Sequence, residues 1–212
     1  WSSVGEEYEK LIKHQFKNPI SVREKTFELV GNKIDPEDKI DTLINWVRQN
    51  IRYQEAGFGG HSLIPQLSNT TLLQRNGDCK DQSLLLYELL NTISIPSKLT
   101  LINLEHPVTS ALPSIQQFNH MILYIPKGID YEERYVDLTE DVGTDRVIPF
   151  NLEGRNALII DSKYSKIVTT PVVETTKEHK VELHHTIGLS TLEYTDFKDS
   201  LVLDGKFSAG LR

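Results

Sequence analysis

Cysteine and methionine are nearly absent from this sequence, in which Cys79 and Met121 are the only examples among 212 residues. One cysteine excludes an internal disulfide framework and any zinc site built from several thiolates. No apolar run reaches the length that a membrane-spanning helix needs. A net charge of −7 at pH 7 argues against a nucleic-acid partner, because nucleic acids select basic surfaces.

The chain starts at Trp1 and not at a methionine. We therefore expect it to be a processed or excised segment of a longer protein, flanked by further β-rich domains. The absence of a leader sequence has no meaning in such a segment, since one could have been removed.

The order of apolar patterns predicts an α+β fold, with helices first and antiparallel strands after them. Asp35 and Pro36 begin the clearest helix. A short helix is predicted to end at Gly77, and a longer one follows it. "FNHMILYIP" and "RYVDLTE" are typical of paired strands, with a turn near Lys127 and Gly128. We expect a helical lead-in over 1–34, a core over 35–170 and the start of a β-rich module over 171–212.

Cys79 lies in "RNGDCKDQSLLLYELL", where a glycine-aspartate turn meets a helical run. The first turn of a helix presents unpaired N–H groups and the positive end of the dipole, and both favour a thiolate. The thiolate is the nucleophile, and the same N–H groups can bind a developing oxyanion. The alternative is that Cys79 is a small buried apolar residue.

A thiolate nucleophile works best with a histidine that a third group holds in place. His120 begins a predicted strand and Asp137 lies on the next one. Adjacent antiparallel strands bring cross-strand residues to about 5 Å. The two residues can therefore complete a nucleophile–base–orienter set with Cys79. Each residue also has a structural interpretation. His120 could be a hydrogen-bonded histidine in the core or at a sheet edge, and Asp137 could be a turn residue that precedes Thr139.

The three motifs "GDCKD", "FNHMI" and "RYVDLTED", in that order, resemble the transglutaminase-like superfamily, which shares the papain-like cysteine core. The resemblance extends from about Asp35 to Asp141. In particular, the chain resembles the bacterial transglutaminase-like domains that follow a β-rich N-terminal domain in exported proteins. One departure is that Met121 and Ile122 follow the histidine, where family members often have a small residue and then an aromatic one.

The resemblance implies that Cys79 is the nucleophile, His120 the general base and Asp137 the orienting residue. The Cys79 N–H would contribute to the oxyanion hole, and the Tyr53 hydroxyl is a candidate second donor. The implied activity is cysteine-dependent hydrolysis or acyl transfer at a peptide or carboxamide bond through a thioester. Transglutaminase-type transfer to an amine and a non-catalytic peptide- or glycan-binding module are the alternatives. The resemblance also implies a peptide or protein substrate, no cofactor, and a periplasmic or cell-surface location.

Other polar residues offer weaker candidates. His61, in the glycine-rich loop "GFGGHS", could touch a substrate. His184 and His185 are adjacent and point to opposite faces of a strand, so we predict no metal site there. Lys80 and Asp81 are expected to form local structural contacts around the nucleophile.

Overall fold

The computed structural model describes residues 1–54, 63–139, 148–161, 163–173, 180–189 and 195–204. Within these residues the helices are α1 Ser2–Ile12, α2 Ile20–Val30, α3 Pro36–Asn50, α4 Ser68–Gln74 and α5 Cys79–Thr92. The strands are β1 Arg52–Tyr53, β2 Asn76–Gly77, β3 Lys98–Ile102, β4 His120–Ile125, β5 Arg134–Val136, β6 Asn156–Ile159, β7 Lys166–Thr169, β8 Lys180–Leu189 and β9 Thr195–Asp204. Helices dominate the first half and strands the second, so the predicted α+β class is confirmed.

Helix α3 begins as the sequence predicts. The Asp35 carboxylate accepts a hydrogen bond from the Glu37 N–H at 3.0 Å, and Pro36 occupies the first helical position. The apolar spacing then buries one face of the helix, formed by Ile40, Leu43, Ile44 and Val47. This face packs against α5 and α2, which fixes the wall behind the nucleophile helix.

Helix α5 is buried on nearly all sides. The apolar residues Leu84 and Leu89 are buried, and so are the polar residues Gln82, Ser83 and Glu88. Helices α2, α3 and α4 and strands β3 and β4 all pack against α5. A helix enclosed in this way cannot shift easily, so its first residue is held at a fixed place.

The main sheet has five antiparallel strands in the order β5-β4-β3-β6-β7. Alternation along β4 places Met121 and Leu123 in the core shared with the helices, while Ile122 belongs to a smaller apolar cluster with Tyr135 and Leu152. The predicted pairing of the β4 and β5 segments is confirmed, with Leu123 opposite Val136.

Gly77 does not end α4, contrary to the sequence-based expectation. The helix ends at Gln74 and is capped by Arg75, which adopts a left-handed conformation with φ of 57°. Gly77 lies in β2, where a Cβ atom would come within 2.6 Å of the Asp81 Cβ. The glycine is therefore required by the close approach of the turn that precedes Cys79, and not by helix termination.

The N-terminal segment is tied to α5 through one buried carboxylate. Glu88 accepts hydrogen bonds from the Lys17 and Asn18 N–H groups, each at 2.7 Å, and from the Ser68 hydroxyl. Because a buried carboxylate needs these donors, the start of the chain packs as part of the layer around α5. The boundaries predicted at residues 34 and 170 stay predictions.

Strands β8 and β9 form a two-stranded antiparallel hairpin of ten residues a side. Alternation places apolar side chains on one face, among them Val181, Leu183, Ile187, Phe197 and Leu201. The strands lie where the sequence predicts a β-rich segment, and its status as a separate module stays a prediction.

Candidate active site

A capping box fixes the turn that carries Cys79. The Asp78 side chain accepts hydrogen bonds from the Lys80 N–H at 2.9 Å and the Asp81 N–H at 3.3 Å. Asp81 in return accepts from the Asp78 N–H at 3.1 Å. Cys79 is thus the first residue of α5, and only 4% of its surface is exposed. The structure places the thiol at the helix start that the sequence predicts.

The same capping box leaves one N–H group of the first turn available. The N–H groups of Lys80 and Asp81 are both donated to Asp78. In the part of the chain that the structure describes, the Cys79 N–H has no acceptor. Such a group, at the positive end of a helix, can stabilise negative charge on an oxygen bound beside the thiol.

His120 and Asp137 come together at one end of the β4–β5 pair. His120 is the first residue of β4, and Asp137 directly follows the last residue of β5. The His120 Nε2 atom lies 2.9 Å from the Asp137 Oδ2 atom. The Cys79 side chain lies close enough to the His120 ring to help raise its pKa. Since Nε2 faces Asp137, Nδ1 is the ring nitrogen left for the thiol.

The pair is deeply buried, and its charges stabilise each other. Burial alone would lower the pKa of His120, but hydrogen bonds and charge interactions with Asp137 and Cys79 outweigh it and raise the pKa to about 10. Burial alone would raise the pKa of Asp137, but its bonds with His120 and Thr139 hold the pKa below its usual value. An imidazolium beside a carboxylate is therefore favoured at neutral pH.

Two further residues hold Asp137 in place, and sequence reasoning did not assign them to the site. Thr139 donates to the Oδ1 atom from its N–H at 2.9 Å and from its hydroxyl at 2.7 Å. The Arg48 guanidinium donates to the Asp137 carbonyl at 2.5 Å. The Asp-Leu-Thr spacing was a usable signal for Thr139, since aspartate often accepts from the N–H two residues on. Arg48 gave no local signal.

Tyr53 lies beside the nucleophile turn but its side chain is partly exposed. Tyr53 pairs with Gly77 in the short parallel ladder of β1 and β2, and Gly77 lies two residues before Cys79. About 43% of the Tyr53 surface is exposed. Its role as a second oxyanion donor stays a prediction. His61 lies outside the described residues.

Tyr8, from the N-terminal helix, is a site neighbour that the sequence did not indicate. Its hydroxyl donates to the Leu63 carbonyl at 2.8 Å, and its ring is 2% exposed. Burial raises the pKa of Tyr8, and the nearby negative charges of Cys79 and Asp78 raise it further. Helix α1 therefore reaches the surroundings of the thiol.

The described residues hold no group of three or more histidine, cysteine, aspartate or glutamate side chains placed to bind a metal ion. Nor is any helix among them both long enough and apolar enough to cross a bilayer.

Two solved structures resemble this fold at low sequence identity. A "putative protease" from Parabacteroides distasonis shares 11% identity with a TM-score of 0.62, over 91% of this chain and 38% of that one. A "putative cysteine protease" from Cytophaga hutchinsonii shares 14% identity with a TM-score of 0.45, over 86% of this chain and 50% of that one. This chain thus spans half or less of the length of either protein.

No curated protein sequence matches this chain. The sequence profile of the transglutaminase-like superfamily matches residues 23–138, which is more than half of the 212 residues. This segment contains α3, α5, β4 and β5, with Cys79, His120 and Asp137. The chain therefore belongs to the transglutaminase-like superfamily.

Proposed function

We propose that this chain is a cysteine peptidase or amidase that cleaves a peptide or carboxamide bond through a thioester intermediate. The observation that carries the proposal is the 2.9 Å contact of the buried His120 ring with the Asp137 carboxylate, beside the buried Cys79 thiol whose interaction with the ring helps raise the pKa of His120. Superfamily membership supports a cysteine peptidase-like activity.

Acylation begins from a thiolate–imidazolium pair, in which His120 already holds the thiol proton of Cys79. The Sγ atom then attacks the carbonyl carbon, and the carbonyl π electrons move onto the oxygen. The Cys79 N–H stabilises that oxyanion. The intermediate collapses as the C–N bond breaks, and the His120 imidazolium gives its proton to the leaving nitrogen. The products of this half-reaction are an amine and a thioester on Cys79.

Hydrolysis of the thioester completes the cycle. His120 takes a proton from water, and the resulting hydroxide equivalent attacks the thioester carbon. Collapse releases a carboxylic acid, and the thiolate regains its imidazolium partner. Asp137 keeps the imidazole oriented and stabilises its charged form throughout, as the 2.9 Å contact and the raised pKa of His120 indicate.

The first test is the rate of iodoacetamide alkylation of Cys79 between pH 4 and 10, in the native protein and in His120→Ala. An unassisted thiol, with a reference pKa of about 8.5, reacts slowly at pH 6. We expect rapid reaction of the native protein at that pH and a large loss in His120→Ala. Equal rates in both proteins would favour the alternative of a non-catalytic binding module.

The second test identifies the acceptor of the acyl group. Peptides and glutamine amides are incubated with the protein in the presence and absence of a primary amine, and products are identified by mass. Free acid in both reactions supports hydrolysis. Formation of the amide with the added amine, at the expense of the acid, would replace this proposal by transglutaminase-type transfer. Cys79→Ala is the inactive control.

The peptide or protein substrate, the flanking domains and the periplasmic or cell-surface location are parts of the same proposal. Fractionation of cells that express the full-length protein tests the location, with recovery in the cytoplasm as the result against it.

A further inference from the structure

We infer that helix α1 forms a specificity pocket beside the thiol, which takes an apolar side chain of the acyl donor. This inference rests on the proposed function. Its basis is a cavity of about 360 Å³ lined by residues of α1, by Leu63 and by residues 113–115. This volume lies at the lower end of the range for ligand pockets, about 300–1,000 Å³.

Tyr8 links the cavity to the candidate active site. It lines the cavity, and it lies close enough to Cys79 and Asp78 for their charges to help raise its pKa. Its hydroxyl bonds to the carbonyl of Leu63, another lining residue. Residues of an extended peptide repeat about every 3.3 Å. We therefore assign the cavity to a side chain one or two residues from the reacting carbonyl.

The walls are suited to an apolar group. Val4, Leu11, Leu63 and Ile115 contribute aliphatic surface, and Tyr8 contributes an aromatic ring. Glu7 is the lining residue that carries a charge. Because its carboxylate is negative, the pocket disfavours an anionic side chain, whereas aliphatic or aromatic groups gain burial.

Helix α1 is fixed firmly enough to form a wall. A Cβ atom at Gly5 would lie 2.2 Å from the Ser165 Cβ, so the helix packs closely on the segment before β7. The Ser2 hydroxyl donates to the Ser165 carbonyl at 2.9 Å. Trp1 packs on Phe118, two residues before His120, with ring centroids 5.6 Å apart. All of α1 precedes residue 23, where the superfamily match begins, so the α1 wall of the pocket is a feature of this chain's own N-terminal segment.

The test compares four reagents with one electrophile: iodoacetamide and its N-benzyl, N-isobutyl and N-carboxymethyl derivatives. In each reaction Sγ displaces iodide and forms an S–C bond, so the rate ratio to iodoacetamide, normalised to glutathione, reports binding of the substituent. We expect the benzyl and isobutyl reagents to react with Cys79 at least tenfold faster than iodoacetamide, and the carboxymethyl reagent to react more slowly. Glu7→Gln should reduce that last discrimination.

Val4→Trp fills the cavity and should bring the benzyl and isobutyl ratios close to one. Ser3→Trp places the same ring on an exposed position of α1 that does not line the cavity, and should leave all ratios at native values. Leu11→Asp is the second variant, because 43% of Leu11 is exposed, and it should lower the benzyl and isobutyl ratios by placing a charge on the apolar wall.

The outcomes separate the pocket from the chemistry. If alkylation by iodoacetamide depends on His120 but the apolar reagents show no preference, the pocket is refuted and the proposed function stands. If the preference is present but Ser3→Trp abolishes it as fully as Val4→Trp does, the assignment to this cavity is wrong. If the rates do not depend on His120, the proposed function fails, and the substrate pocket fails with it.

Discussion

Replacing Asp137 by asparagine should disable Cys79 although it changes a single atom of the side chain. The Oδ1 atom of Asp137 accepts two hydrogen bonds from Thr139, while Oδ2 faces His120 Nε2. In Asp137→Asn the carbonyl oxygen must stay with the fixed backbone N–H of Thr139. The amide NH2 group then points at Nε2, which becomes an acceptor.

This arrangement forces the wrong tautomer. With Nε2 as acceptor, the neutral imidazole carries its proton on Nδ1, the nitrogen that faces Cys79, and it cannot take the thiol proton. The variant also lacks the negative charge that helps to raise the pKa of His120 to about 10. Both effects remove the imidazolium that would stabilise a thiolate.

The expected loss follows from the thiolate population. At pH 6 an unassisted thiol with a reference pKa near 8.5 is about 0.3% ionised, so full ion pairing increases the thiolate by up to about 300-fold. A stabilised thiolate is a weaker nucleophile: nearly full ionisation at pH 6 needs a pKa lowered by about 3.5 units, and a Brønsted coefficient of about 0.4–0.5 then reduces the intrinsic reactivity by roughly 30-fold. We therefore expect alkylation by iodoacetamide at pH 6 to fall by about tenfold in Asp137→Asn.

Asp161→Asn is the matched control. Hydrogen bonds with Lys98 and with the backbone hold the pKa of Asp161 at about 2, so this carboxylate is also held ionised by its neighbours. It does not contact His120. Native-like alkylation in Asp137→Asn, or an equal loss in Asp161→Asn, would refute the assignment of Asp137 as the orienting residue.

Three further predictions concern stability. Folding raises the pKa of His120 from 6.5 to about 10, so the stability that it contributes is fully present below about pH 6.5 and is lost as the pH rises toward 10. The difference in urea unfolding free energy between native protein and His120→Ala should thus shrink between pH 6 and 9, by at most about 3 kcal/mol. Glu88→Ala leaves three donors without their acceptor and should cost about 3–5 kcal/mol in urea unfolding, whereas the exposed Glu105→Ala should cost little. Asp35→Ala removes the N-terminal cap of α3 and should lower the unfolding free energy by about 1 kcal/mol. Asp38→Ala changes a residue in the first turn of the same helix and should alter the unfolding free energy by a few tenths of a kcal/mol at most.

The sequence predicted the features of the fold that depend on neighbouring residues, such as helix starts and strand alternation. The cap and first turn of α3 follow from Asp35 and Pro36, and strict alternation along β4 follows from its apolar residues. The start of α5 at Cys79 follows from the Gly-Asp turn before it. These features depend on residues within a few positions of each other, so the sequence displays them directly.

Contacts between distant segments were not visible in the sequence. Tyr8 reaches the surroundings of the thiol from a helix about seventy residues earlier in the chain, and Arg48 binds the Asp137 carbonyl across 89 positions. The burial of the polar side of α5 was missed for the same reason, since it depends on which helices pack there. The end of α4 was misplaced because Arg75 accepts a left-handed conformation that glycine more often supplies.

The carboxylate of Glu88 links the hydrogen exchange of the N-terminal segment to that of α5. The amide hydrogens of Lys17 and Asn18 are bonded to a side chain of α5 and not to their own neighbours along the chain. They can exchange with solvent deuterium only when that contact opens, which requires an enclosed helix to move or a charge to lose its donors. Two amides in a connecting segment should therefore exchange at the slow rate of α5. The N-terminal segment then behaves as one cooperative unit with the helix that carries the nucleophile.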